Sequence, residues 1–233
     1  MIRARFAPFF LFSALFSNMS AEMQPSSSAS VIPIVPNAAS KSLIVTIRVY
    51  NLASVRPAAL AKAKRETARV FREAEVGTVW LNCPTAPEQL AENRACAAPM
   101  QATDMVIKIL PKQMAEAFKQ PRGVYGFAAP GANGGFGALI YLFHERVLDL
   151  AFHGTIASSY KDNQAIVLGC MMAHEIGHLL LGPKSHSTKG IMKSPWDRRD
   201  LMQAARTGLR FLPSEVERIR SALTRRSQAT VRP

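Results

Sequence analysis

Two histidines and a glutamate form the pattern with the most chemical content in this sequence. His174, Glu175 and His178 occur together as HEIGH, in an apolar stretch that begins near Asp162. Four residues make about one turn of a helix, so both imidazoles project from the same face and two ligands can meet one ion. Glu175 follows the first histidine, which directs its carboxylate to the side where a water on the ion would sit. The pattern predicts a zinc site on a buried helix.

A site of this kind predicts hydrolysis of a peptide bond. A zinc ion held by neutral nitrogen ligands, with one position open, lowers the pKa of its water toward about 7 and polarises a carbonyl. Glu175 would take a proton from that water and later deliver it to the leaving amine. The alternative is two buried, hydrogen-bonded histidines without a catalytic role. It is weakened because three of the five histidines of the chain fall within thirteen residues.

His186 is the candidate for the third metal ligand. Gly182 ends the helical pattern and lets the chain turn back, so His186 can approach the ion from the side that the helix leaves open. A histidine also suits zinc, which is a borderline-soft ion. If His186 does not reach the metal, Asp197 or Asp200 on the next segment could be the third ligand.

The segment around these residues resembles the metzincin metalloproteases, whose motif is HExxHxxGxxH followed by a methionine in a tight turn beneath the metal. Here the pattern is HExxHxxxGxxxH, with one extra residue on either side of the glycine. The resemblance implies that His174, His178 and His186 bind one catalytic zinc ion, that Glu175 is the catalytic carboxylate, and that Met192 forms the floor of the site. The chain also resembles exported bacterial proteins of unassigned function, and the function that the metzincin resemblance implies is that of a zinc metalloendopeptidase.

The remaining sequence predicts an α+β fold. Residues 43–50 are β-branched and almost continuously apolar, as in a strand covered on both faces. Pro57 opens a helical pattern with one apolar stripe. Further strands are predicted at 77–81, 105–110, 123–128 and 138–143, the last two as a hairpin or short return, and further helices at 111–119, 197–206 and 214–226. Ser214 is the predicted cap of the last helix.

The metzincin resemblance implies how these elements are arranged. It implies a two-lobed zincin domain with a twisted mixed sheet, an active-site helix, and a C-terminal helix that closes the lower lobe. Residues 123–128 would be the edge strand that pairs with an extended peptide substrate.

The N-terminal residues have the pattern of an export signal. Arg3 and Arg5 precede an apolar run at 6–16, which is too short to span a bilayer because a spanning helix needs about 20 residues. We expect a signal peptide at 1–21, a Ser- and Pro-rich linker at 22–41, and a peptidase domain at 42–228. The predicted location is secreted or periplasmic, without a transmembrane segment.

Charge and cysteine content limit the other classes of function. The net charge is +13, but aromatic residues make up only 8% of the chain, so specific nucleic-acid binding is not predicted. In an exported protein Cys83 and Cys96 could close a proline-rich loop as a disulfide, whereas Cys170 lies in an apolar helical pattern and is expected to be buried. His144 and His153 lie outside the motif and are expected to have surface or structural roles.

Two other functions remain open on the sequence alone. One is a non-catalytic zinc-binding or peptide-binding relative that keeps the site as a structural device. The other is a basic surface-binding protein in which HExxH is accidental. Neither the cleavage preference nor the oligomeric state can be predicted, because the loops that shape the cavity cannot be placed from the sequence.

Overall fold

The computed structural model describes residues 42–129, 131, 136–153 and 160–229. The predicted signal peptide at 1–21 and linker at 22–41 lie outside the described residues, as does most of the glycine-rich turn at 130–137. These assignments therefore stay predictions.

A five-stranded mixed sheet forms one layer of the fold. Its strands are β1 (Leu43–Asn51), β2 (Val76–Cys83), β3 (Asp104–Leu110), β4 (Gly126–Ala129) and β5 (Leu139–Phe143), in the spatial order β2-β1-β3-β5-β4. Strands β2, β1, β3 and β5 are parallel, and β4 runs antiparallel to β5. The short strand β4 is therefore an edge of the sheet, and the predicted antiparallel return is confirmed.

Helices form the second layer and the C-terminal part of the described chain. They are α1 (Pro57–Glu73), α2 (Pro87–Glu92), α3 (Arg94–Ala97), α4 (Lys112–Glu116), α5 (His144–His153), α6 (Tyr160–Leu181), α7 (Arg198–Arg206) and α8 (Pro213–Ala229). The sequence did not predict α5, which follows β5 without a break. Helix α6 begins two residues before Asp162, close to the predicted start of the apolar stretch.

The predicted cap of the last helix is wrong by two residues. Pro213 occupies the first helical position, where its missing N–H costs nothing, so the residue before it is the cap. The backbone N–H of Leu212 donates to the carboxylate of Glu215 at 2.7 Å. Ser214 is exposed and lies inside the helix.

Helix α6 lies at the centre of the hydrophobic core. Its buried residues pack against α1, α5 and α8, and the inner face of the sheet completes the core with Val45, Ile47, Val49, Ile107 and Ile140. Residues Asn163–Leu181 are long and apolar enough to cross a membrane, but 72% of this stretch is buried inside the protein. The helix that carries HExxH is thus the core helix of the fold, and the predicted α+β class with a mixed sheet is confirmed.

A disulfide joins Cys83 at the end of β2 to Cys96 in α3, as predicted. Arg48 holds the same loop from beneath, because its guanidinium donates to Cys96 O at 2.9 Å and to the carboxylate of Asp104 at 3.0 Å. Cys170 is a free thiol and fully buried, which is also as predicted. The disulfide suggests that the protein resides in an oxidising compartment.

Candidate metal centre and active site

His174 is placed by its position in the core helix. The side chain is 6% exposed, and its Nδ1 donates to the carbonyl of Ile191 at 2.8 Å. Burial lowers the pKa of His174 to about 3, and the nearby charge of His178 acts in the same direction. The ring is therefore neutral at pH 7, and its Nε2 carries the lone pair that a metal ion requires.

His178 lies one helical turn further along the same face. Its Nδ1 is 3.1 Å from Ser185 Oγ and 3.3 Å from Gly182 O, and burial lowers the pKa of the ring. Its Nε2 is 3.1 Å from His174 Nε2. The two rings thus present the same atom to the same point.

His186 reaches that point from the loop after the helix. Gly182 has a φ of +102°, in the left-handed region that favours glycine, and this turn directs the chain back toward the helix. His186 Nε2 is 3.1 Å from His178 Nε2, and the ligand atoms of the three histidines all lie within 4.8 Å of one another. The two extra residues in the motif therefore do not carry His186 away from the other rings.

The alternative ligands Asp197 and Asp200 are engaged elsewhere. Asp197 caps α7 because its carboxylate accepts from the backbone N–H groups of Arg199 and Asp200. The carboxylate of Asp200 in turn accepts from the backbone N–H of Asp197. Both carboxylates also pair with Lys193, at 2.9 and 2.5 Å. Among the described residues, the group that could hold a metal ion consists of the three histidines.

The donor set fits a zinc ion. Zn–N bonds are about 2.0–2.1 Å long, and a tetrahedron with such bonds places its nitrogens about 3.3 Å apart. The Nε2 atom of His178 lies 3.1 Å from the Nε2 atoms of both His174 and His186, which is close to that separation. Three nitrogen ligands would leave a fourth position open, which is the arrangement of catalytic zinc sites, whereas structural sites usually have four protein ligands.

Glu175 is buried between the helix and the edge strand. It is 4% exposed, and burial raises the pKa of its carboxyl to about 8, although a hydrogen bond from the backbone of Ala128 in β4 acts in the opposite direction. Its Oε2 has no hydrogen-bond partner among the described residues. Since buried polar atoms are nearly always paired, this oxygen is a candidate for contact with a water or a substrate.

Met192 packs against the helix that carries His174 and His178. It is fully buried in the turn that follows Gly190, and the same turn supplies the Ile191 carbonyl that accepts from His174. Its side chain packs against Gly177, the residue that directly precedes His178 in the helix. The metzincin resemblance implied that Met192 forms the floor of the site, and the structure shows its side chain against the HExxH helix.

A cavity of about 370 Å³ opens beside the three histidines. Its walls are mostly apolar, and the residues that enclose it besides His174, Glu175, His178 and His186 include Val124, Tyr125, Phe127, Leu150, Met171, Pro195 and Trp196. The Trp196 ring stands edge-on to the ring of His174, with centroids 5.8 Å apart. The sequence did not predict that Tyr125 and Trp196 line the cavity, because no local pattern indicates which loop residues do so.

The chain was compared with known proteins. No protein-family model matches it, and no curated protein matches it either. Among solved structures it is similar to archaemetzincin from Methanopyrus kandleri, with 14% identity and a TM-score of 0.44, over 80% of this chain and 99% of that chain. The similarity to exported bacterial proteins stays a prediction.

Proposed function

We propose that this protein is a metzincin-like zinc metalloendopeptidase with His174, His178 and His186 as the ligands of one zinc ion and Glu175 as the catalytic carboxylate. The observation that carries the proposal is the convergence of three Nε2 atoms beside a buried carboxylate oxygen that has no partner among the described residues. An accidental HExxH would give no reason for a third imidazole to join the first two.

When bound, zinc would acidify a water molecule and polarise the substrate carbonyl. Glu175 Oε2 would accept the proton of the water and deliver it to the leaving amine nitrogen. Burial favours the protonated form of the Glu175 carboxyl, whose pKa is about 8. The positive charge of a bound zinc ion would favour the ionised form. The group is therefore suited to both taking and giving a proton near neutral pH.

An extended peptide is the proposed substrate, and β4 is its proposed binding element. Phe143 N–H donates to Tyr125 O, so alternation along the strand turns the backbone groups of Gly126 and Ala128 away from β5. This side of β4 lines the cavity and contacts Glu175. A peptide added to this edge would run past the catalytic carboxylate.

The proposed ligand number favours a catalytic site over a structural zinc site. Three protein ligands and an adjoining cavity of about 370 Å³ leave space for a water and a substrate, which a closed four-ligand site would not. Export to an oxidising compartment accords with the Cys83–Cys96 disulfide. We retain the predicted absence of specific nucleic-acid binding as part of the proposal.

The test compares the parent protein with Glu175→Gln. We expect the purified parent to bind one zinc ion per chain and to cleave casein or members of a peptide library. Glu175→Gln should bind zinc with similar affinity and lose cleavage by at least about 100-fold, the lower end of general acid–base contributions. Equal cleavage by both proteins, or zinc binding by the parent without cleavage of any peptide, would contradict the peptidase assignment. The second result would favour the non-catalytic zinc-binding protein.

A further inference from the structure

We infer that Ser185 is a positioning residue, which fixes the tautomer and direction of the His178 ring so that its Nε2 faces the metal position. The inference rests on the proposed zinc site. It assigns a role to the residue that directly precedes the third ligand, in the part of the motif that is longer than in metzincins.

The hydroxyl of Ser185 lies between two groups of the same turn. Its Oγ is 2.6 Å from Gly182 O and 3.1 Å from His178 Nδ1. Gly182 O is itself 3.3 Å from His178 Nδ1. Serine, ring and carbonyl thus form a closed triangle beside the second ligand.

The donors and acceptors of this triangle permit one arrangement. A carbonyl oxygen can only accept, so the hydroxyl of Ser185 donates its hydrogen to Gly182 O. The oxygen of Ser185 therefore faces His178 with a lone pair, and Nδ1 of the ring must carry the hydrogen that it donates. In a neutral imidazole the other nitrogen, Nε2, then carries the lone pair. This is the nitrogen that lies 3.1 Å from both other Nε2 atoms.

The two helical ligands are oriented by different parts of the chain. His174 donates from Nδ1 to Ile191 O in the methionine turn, whereas His178 is oriented by the loop between Gly182 and His186. The segment that delivers the third ligand therefore also orients the second. Groups of this kind commonly change metal affinity by about 10- to 100-fold when they are removed.

Zinc affinity of the full chain, measured by competition with a chelator, tests the inference. We expect Ser185→Ala to raise the zinc dissociation constant by about 10- to 100-fold. Ser185→Thr, which keeps the hydroxyl, should restore most of the affinity. Ser187→Ala is the matched control, because its hydroxyl lies in the same loop but donates to Lys189 O and is not part of the triangle at His178. It should bind zinc like the parent.

A second measurement is independent of variants. In nitrogen–proton correlation spectra of the zinc-free parent, where no metal ion selects the tautomer, the neutral ring of His178 should carry its hydrogen on Nδ1. Parent-like zinc affinity of Ser185→Ala, an equal loss in Ser187→Ala, or a His178 ring without hydrogen on Nδ1 would each overturn the role of Ser185 while leaving the zinc site intact. A parent protein that binds no zinc would overturn the site and the role of Ser185 together.

Discussion

Met192 packs directly on Gly177, the residue that directly precedes His178 in the HExxH helix. A Cβ atom added to Gly177 would lie within 3.0 Å of Met192 Sδ, closer than real Cβ contacts, and within 3.2 Å of Met192 Cε and of the Phe211 ring. The absence of a side chain at Gly177 therefore allows the turn that carries Met192 to approach the helix. Because the same turn accepts a hydrogen bond from His174, the contact couples core packing to the metal ligands.

Gly177→Ala should consequently lower both stability and zinc affinity. Extra volume in a packed core typically costs about 1–3 kcal/mol, and here the displaced group is the side chain of Met192, whose turn orients His174. Denaturant unfolding and chelator competition measure the two effects. Gly77→Ala is the control, since its added Cβ would make only ordinary contacts, at 3.4 Å and beyond. A Gly177→Ala variant as stable as Gly77→Ala would show that the turn yields without cost.

Replacing His186 should show whether this histidine or one of the acids, Asp197 or Asp200, is the third metal ligand. We expect His186→Ala to weaken zinc binding by at least about 10-fold, because two ligands remain on the helix and no other His, Cys, Asp or Glu joins the group among the described residues. Asp197→Asn should bind zinc like the parent, since asparagine also caps a helix N-terminus. Zinc content after dialysis against a chelator distinguishes the variants. The opposite ranking would assign the third ligand to the acid.

The three converging histidines were the most predictable part of the candidate site. The spacing of His174 and His178 depends only on the period of a helix, and the turn at Gly182 depends on a residue that tolerates positive φ. The choice between His186 and Asp197 was harder, because it depends on the path of the following segment. A local signal existed, however: Asp197 and Asp200 stand three residues apart, as the N-cap and the third helical residue of a capping box at the start of α7.

Other features could not be predicted because they depend on tertiary contacts. Trp196 packs against His174 from a distant part of the chain, and no periodicity reports such a contact. Helix α5 was missed because neither proline nor glycine separates Phe143 of β5 from His144. The cap of α8 was misplaced for the opposite reason: Pro213 was a readable helix-start signal, but Ser214 and Glu217 imitated a capping box one position beyond it.

The stability of the zinc-free protein should depend on pH through Glu175. Its pKa is about 8 in the folded chain, against 4.5 for an ordinary carboxyl, so the folded state holds a proton that the unfolded state releases. Its contribution to folding is fully present below pH 4.5 and is lost as the pH rises through 8. Glu175→Gln has no proton to lose. Its unfolding free energy should match that of the parent near pH 4 and exceed it by a few kcal/mol at pH 9, since one pKa unit corresponds to about 1.4 kcal/mol.

The comparison between parent and Glu175→Gln also removes the effect of the histidines. Burial lowers the pKa of His174, which destabilises the folded state as the pH falls below 6.5, but both proteins share this group. Denaturant unfolding in the presence of a chelator, repeated from pH 4 to 9, gives the difference directly. A constant difference across this range would show that the carboxyl titrates alike in the folded and unfolded chains.

Loss of the disulfide should destabilise the fold. The Cys83–Cys96 bridge closes a loop with a sequence separation of 13, for which the chain-entropy model gives about 3 kcal/mol. We expect the double variant Cys83→Ser/Cys96→Ser to lose roughly this amount in denaturant unfolding and to become insensitive to reductant. Cys170→Ala, in which the bridge is intact, should lose stability on reduction as the parent does. Equal stability of reduced and oxidised parent would mean that Arg48 alone holds the loop.

Arg146 in α5 should control substrate binding through the loop above the cavity. Its guanidinium donates to the carbonyls of Gln120, Pro121 and Val124, at 2.7 to 3.1 Å, and this segment leads directly into the edge strand. Arg146→Met removes these bonds but keeps most of the apolar stem. If the protein is a peptidase, the variant should show a KM raised by several-fold with little change in kcat, since the histidines and Glu175 are held by other elements. An unchanged KM, or a loss confined to kcat, would show that the loop does not position the substrate.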